Sequence, residues 1–175
     1  TFRDAKQQFG KIGIYSAFEE LNSILKKVQS LNEPIVSDFV YAPESYKFSN
    51  LIREENPWVI DRLSKGHSKD ITSNIFEKLP ELFMNKKISD DYIGIYGRLN
   101  NDRIIRYIQR KYVESHDNLD YYKVFVPKSN GSGALGEVLS TPVIGQPVIG
   151  QPVIGHTQTF ISIGRFSTEY EANSL

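Results

Sequence analysis

Residues 142–156 are three tandem pentapeptides: Pro142-Val143-Ile144-Gly145-Gln146, Pro147-Val148-Ile149-Gly150-Gln151 and Pro152-Val153-Ile154-Gly155-His156. Three such units are too few to stack into a solenoid with its own buried core. A proline and a glycine in every unit rule out a helix, so the stretch reads as a chain of turns or an extended excursion. The core must therefore come from the segments on either side, with the repeat carried between them as a long loop. From Ser129 to Gly164 there is no Lys or Arg, and Glu137 is the only acid. The stretch is therefore a poor phosphate binder through charge, though its backbone amides remain available.

The remaining sequence is sufficient for a core. Of 175 residues, 39% are hydrophobic and 12% aromatic, which suits one domain. Lys and Arg total 21 and Asp and Glu total 21. Zero net charge excludes a uniformly basic nucleic-acid binder but leaves room for a local basic stripe. Without cysteine there is no disulfide, thiol nucleophile or zinc–thiolate site. His67, His116 and His156 are too widely spaced for a paired metal motif. No apolar run approaches a membrane span and no signal peptide is visible, so a cytoplasmic location is expected. The chain starts at Thr1, and Ser167–Leu175 reads as the opening of a helix. A piece of a longer protein is expected.

The spacing predicts a helix over about 16–30, opened by the capping-box pair Ser16 and Glu19 and carrying Phe18, Leu21, Leu25 and Val28. Pro34, Pro43 and Pro57 break residues 31–58 into short strands and loops. A helix over 70–78, with Asp70 as its cap, is stopped by Pro80. Strands are predicted over 92–97, 121–126 and 157–163, with a helix over 102–114 capped by Asn100 or Asn101. The class is α+β: a single mixed domain with a small twisted sheet, flanking helices and the long Pro/Gly loop. Residues 1–90 form a variable lead-in and 91–175 the α/β core, within one compact domain.

Three motifs suggest chemistry and fail on their surroundings. Gly131-Ser132-Gly133-Ala134-Leu135-Gly136 matches G-x-G-x-x-G, but Thr141-Pro142 interrupts the helix that should follow. No acid stands about 20 residues on to hold a ribose. Asn56-Pro57-Trp58 lacks the second proline of an amino-methyltransferase motif, and no glycine-rich methyl-donor loop precedes it. Asp4-Ala5-Lys6 has no partner acid before it. The segment shows no catalytic signature.

On the predicted 102–114 helix, Arg103, Arg106 and Arg110 would share a face, with Ile104, Ile105, Ile108 and Tyr112 packing elsewhere. From Arg98 to Lys111 there are five basic residues and one acid, Asp102. Arg with Asn suits phosphates and base edges. The same pattern also reads as a plain solvated helix face.

Tyr96-Gly97-Arg98-Leu99-Asn100-Asn101-Asp102-Arg103, then Tyr122-Lys123-Val124-Phe125-Val126-Pro127-Lys128-Ser129-Asn130-Gly131-Ser132-Gly133, then His156-Thr157-Gln158-Thr159-Phe160-Ile161-Ser162-Ile163-Gly164 follow one another in order. This series resembles the C-terminal region of type IIG restriction–modification DNA adenine methylases over about 90–175. The resemblance implies a target recognition domain, which binds duplex DNA, is not itself catalytic, and holds no cofactor. The parent would transfer a methyl group from S-adenosylmethionine to a flipped adenine, in a catalytic domain of the same chain. Whether it also cleaves DNA through a separate nuclease domain stays open. From the chemistry of the side chains, Arg98, Arg103, Arg106 and Arg110 would contact phosphate or guanine, and Asn100 and Asn101 bases or backbone. Lys123, Lys128, Ser129, Asn130 and Ser132 would form a second DNA-facing edge, with His156, Gln158 and Thr159 beside the repeat. A protein-interaction or dimerisation domain docking through 142–156 is the alternative. An independent enzyme would need a nucleotide or methyl-donor site that the sequence does not display.

Overall fold

The computed structural model describes residues 19–34, 36–63, 65–128, 143–145 and 154–175. In chain order these form α1 (Glu19–Ser30), β1 (Val40–Tyr41), α2 (Leu51–Glu55), α3 (Ile75–Lys78), β2 (Tyr92–Leu99), β3 (Asp102–Gln109), β4 (Tyr122–Pro127), β5 (Val143–Gly145), β6 (Ile154–His156), β7 (Phe160–Phe166) and α4 (Glu169–Asn173). Single 3₁₀ turns lie at Val36–Phe39, Pro57–Asp61 and Arg110–Tyr112. The fold is α+β, with two small sheets where one was expected.

The chain divides into two compact units, residues 1–38 and 39–175. In the first, α1 leaves Ile24, Val28 and Leu31 exposed. The Ser16 cap and the G-x-G-x-x-G stretch lie outside the described residues.

The larger unit is organised by Asn100 and Asn101. Both have positive φ, 50° and 69°, a left-handed pair that closes a two-residue hairpin of the type that matches strand twist. β2 and β3 consequently pair antiparallel along their whole length, from Tyr92↔Gln109 to Leu99↔Asp102. This overturns the helix expected over 102–114, of which only the turn Arg110–Tyr112 is helical. The two asparagines act as a turn and not as a helix cap, and Ile104, Ile105 and Ile108 suit a pleated surface as β-branched residues.

Residues directly opposite on paired strands share a face, so the hairpin has two distinct sides. Ile93, Ile95 and Ile108 point into a core with Tyr46, Phe48, Ile52, Ile71, Ile75, Phe76, Leu79 and Phe83. Residues from 46–83 thus supply most of this core. On the other side, Tyr96 and Ile105 join Ile154, Phe125 and Phe160. Phe125 and Phe160 come from the second sheet, ordered β1-β7-β4-β5 and antiparallel throughout. The hairpin sheet, ordered β3-β2-β6, therefore lies between the other sheet and a layer of short helices and loops.

The repeat divides between the sheets. Val143–Gly145 pairs with β4 in one, while Ile154–His156 runs parallel to β2 in the other. Two of the three units thus contribute strand residues, beyond the loop expected of them. The helix predicted over 70–78 shortens to α3, because Asp70 is held in a tertiary ion pair and does not cap it. At the C-terminus, Thr168 and Glu171 form a reciprocal capping box on α4.

Gly97 lies on the first core face, opposite Ile104. A Cβ there would sit 2.6 Å from Phe76 Cε2 and 2.8 Å from Thr157 Cγ2. Gly97→Ala is expected to destabilise the domain by about 1–3 kcal/mol through overpacking, read as a lower urea midpoint with an unchanged slope.

Candidate nucleic-acid interface

The closed end of the hairpin, the end of β4 and the turn before β7 meet at a polar cleft of about 350 Å3. The hairpin contributes Arg98, Asn100 and Asn101, β4 leads to Lys128, and the turn supplies Gln158 and Thr159. Ser73, Asn74 and Glu77, at the start of α3, close the remaining side. Glu77 is the single acid on this wall against two cations.

Backbone hydrogen bonds fix these positions. Thr157 N–H donates to Tyr96 O, and Gln158 N–H to Ile71 O, each at 2.9 Å. Lys128 N–H donates to Thr159 O at 2.9 Å. Among the side chains, Arg98 Nη2 donates to Asn101 Oδ1 at 2.9 Å, across the hairpin turn. Gln158 Nε2 donates to Asp70 Oδ2 at 3.0 Å. Lys128 Nζ lies 3.6 Å from Glu44 Oε1, both groups being exposed. Arg98 stands directly across from Arg103 in the ladder, and the Arg103 guanidinium lies 5.9 Å from the centre of the Phe160 ring.

Asp70 stands behind the cleft, 6% exposed. It accepts from Lys47 Nζ at 2.5 Å and pairs with His67 Nδ1 at 2.8 Å. Burial works to raise its pKa, but the hydrogen bonds from Lys47 and His67 outweigh it and hold the carboxyl below the usual range.

Six of the residues singled out in the sequence thus converge: Arg98, Asn100, Asn101, Lys128, Gln158 and Thr159. Others do not. Arg103 and Arg106 point to opposite sides of β3, with Arg106 across from Ile95. Arg110 makes a two-pronged pair with Asp120, at 2.8 and 2.7 Å. A second hollow at the open end of the hairpin holds Arg110 and Lys111, but Lys111 is engaged by Glu55 at 2.5 Å. Ser129, Asn130 and Ser132 lie outside the described residues.

Lys123 and His156 are corrections: both are fully buried and present no DNA-facing edge. Lys123 Nζ donates to the carbonyls of Asn118, Leu119 and Tyr121, at 2.7, 2.9 and 3.1 Å. Burial pushes its ammonium down to about 7, opposed by the charge of Asp120. His156 Nδ1 contacts Thr157 O at 3.0 Å, which makes it the protonated nitrogen, and Nε2 accepts from Ser162 Oγ at 3.2 Å. Burial drives its pKa down to about 3, the Thr157 bond acting in the opposite direction. Asn118 completes the chain, donating to Ser162 Oγ at 3.1 Å and accepting from Tyr46 Oη at 2.7 Å. Ser162 lies beside a histidine here but is wholly buried. The network is a satisfied interior, not a nucleophile with access to substrate.

Among the described residues, no group of three or more His, Asp or Glu is placed to hold a metal ion. Nor is any helix among them long and apolar enough to cross a membrane. The fold and cleft define a mixed α+β domain that presents a hairpin end beside an amide-rich, cationic hollow. No family model, curated protein or solved structure matches this chain.

Proposed function

We propose that this chain is the target recognition domain of a restriction–modification DNA adenine methyltransferase, binding duplex DNA through the end of the β2–β3 hairpin. Its supporting observation is the convergence of Arg98, Asn100, Asn101, Lys128, Gln158 and Thr159 on one polar cleft, beside the facing pair Arg98 and Arg103. A two-stranded ribbon fits the major groove, where amide side chains meet base edges and arginines meet guanine or phosphate. The domain itself carries out no chemistry. Methyl transfer from S-adenosylmethionine belongs to a catalytic domain of the same longer chain, in the cytoplasm.

Duplex binding measured at several salt concentrations tests this. Each phosphate contact contributes about 0.9 to the negative slope of log affinity against log salt. Arg98→Ala and Lys128→Ala should each lower that slope, while Arg110→Ala, already paired with Asp120, should leave it unchanged. Absence of binding at low salt would refute the assignment.

A further inference from the structure

We infer that Asp70 sets the base preference of the cleft by fixing the Gln158 amide, so that Oε1 faces the ligand and selects a base bearing an exocyclic amino group. This rests on the DNA-binding reading above and specifies what that site recognises.

A free glutamine amide rotates to offer donor or acceptor and by itself discriminates little. Gln158 lacks that freedom. An ionised carboxylate only accepts, so the end of Gln158 that meets Asp70 Oδ2 at 3.0 Å must be the NH2 group. Asp70 is held ionised by Lys47 and His67 and is almost wholly buried. Turning the amide over would set oxygen against oxygen on a carboxylate that is 6% exposed. The Gln158 backbone is pinned as well, through its N–H to Ile71 O at 2.9 Å. The cleft therefore meets Oε1 as a fixed acceptor, together with the second Nε2 proton.

Opposite, Asn101 has the reverse polarity. Arginine only donates, so the Asn101 atom 2.9 Å from Arg98 Nη2 is the oxygen, and the Asn101 NH2 group is left as a donor. A base entering the cleft meets one fixed acceptor, Gln158 Oε1, with donors on Gln158 Nε2 and Asn101 Nδ2 beside it.

In the major groove, adenine N6 and cytosine N4 donate, whereas guanine O6 and thymine O4 accept. The amino bases satisfy Gln158 Oε1, and the carbonyl bases oppose it. Adenine gains further, since its N7 accepts a proton from an amide nitrogen and cytosine has no equivalent.

The test is selection of sites from a randomised duplex pool by the wild-type chain. Affinities are then measured for four duplexes differing only at the selected amino-bearing position, and for a fifth carrying 7-deazaadenine there. The wild type should favour adenine or cytosine over guanine and thymine by about tenfold. A loss of affinity with 7-deazaadenine identifies adenine. Asp70→Asn gives Gln158 a partner that accepts or donates, and should bring the four affinities to within about twofold of one another. A merely structural role for Asp70 would weaken all four duplexes alike. If Asp70→Asn fails to fold, Gln158→Ala, which leaves the Lys47 and His67 pairs intact, should erase the same preference. Unchanged preference in the folded variants would overturn this inference alone. A wild-type chain that binds no duplex would overturn the DNA reading with it.

Discussion

Lowering the pH from 7 to 3 is expected to remove about 4 kcal/mol of stability through His156 alone. Its ordinary pKa of 6.5 falls to about 3 in the folded protein, chiefly by burial. Below 6.5 the unfolded chain takes up a proton that the folded chain refuses. The stabilisation from keeping His156 neutral is therefore complete above 6.5, is lost as the pH falls toward 3, and changes no further below that. Urea denaturation of the wild type and His156→Gln at pH 7, 5 and 4 measures it. The difference between the two curves isolates His156 from Asp70, whose pKa is also lowered and which contributes acid sensitivity of its own. Parallel pH dependences in the two proteins would contradict the account.

Lys123→Met should cost about 2–5 kcal/mol near pH 10, where the wild-type amine is neutral, and much less at pH 7. The substitution keeps an apolar stem in the interior but removes the donor to three carbonyls. Asn118 O still receives Tyr121 N–H at 3.2 Å, whereas the carbonyls of Leu119 and Tyr121 lose their Lys123 bond. Each buried acceptor left unsatisfied costs about 1–3 kcal/mol. A pH signature separates this from a packing effect. With the folded ammonium pushed from 10.5 to about 7, the unfolded chain binds the extra proton between these values. Wild-type stability should therefore rise with pH across that window. The methionine variant lacks the rise, so the gap between the proteins widens from pH 7 toward 10. Equilibrium unfolding at pH 7 and pH 9.5 tests both the size and the sign.

Local signals were legible and distant ones were not. The β-branched and aromatic residues of Tyr92–Gly97 and Tyr121–Val126 mark strands, and Thr168 with Glu171 marks a helix start; each depends on neighbours within a few positions. The segment after Asn101 is harder, because Arg103, Arg106 and Arg110 fit helical spacing while Ile104, Ile105 and Ile108 suit a strand. A turn built from Asn100 and Asn101 decides between them, and it sends Arg103 and Arg106 to opposite faces. Lys123 reads as a surface cation until the carbonyls that receive it are known. The bonds Gln158–Asp70 and Tyr46–Asn118 join residues 88 and 72 positions apart, and no local pattern announces either. The cleft residues were identifiable by chemical type, but their convergence was not, since it requires the register of two sheets.

The body of the hairpin is clamped on both sides, while Arg98, Asn100, Asn101, Asp102 and Arg103 are all exposed. Its two functions are thus largely separated along the strands: residues 93–97 and 104–108 hold the fold, and of the tip only Arg103 reaches back over a core ring, that of Phe160. Change at the tip is nevertheless channelled. Positions 100 and 101 must adopt left-handed backbone, which admits asparagine, aspartate and glycine far more readily than other residues. Positions 98 and 103 carry no such restriction. A new recognition preference in a domain of this design would arise first at those two strand ends, where the backbone accepts any side chain.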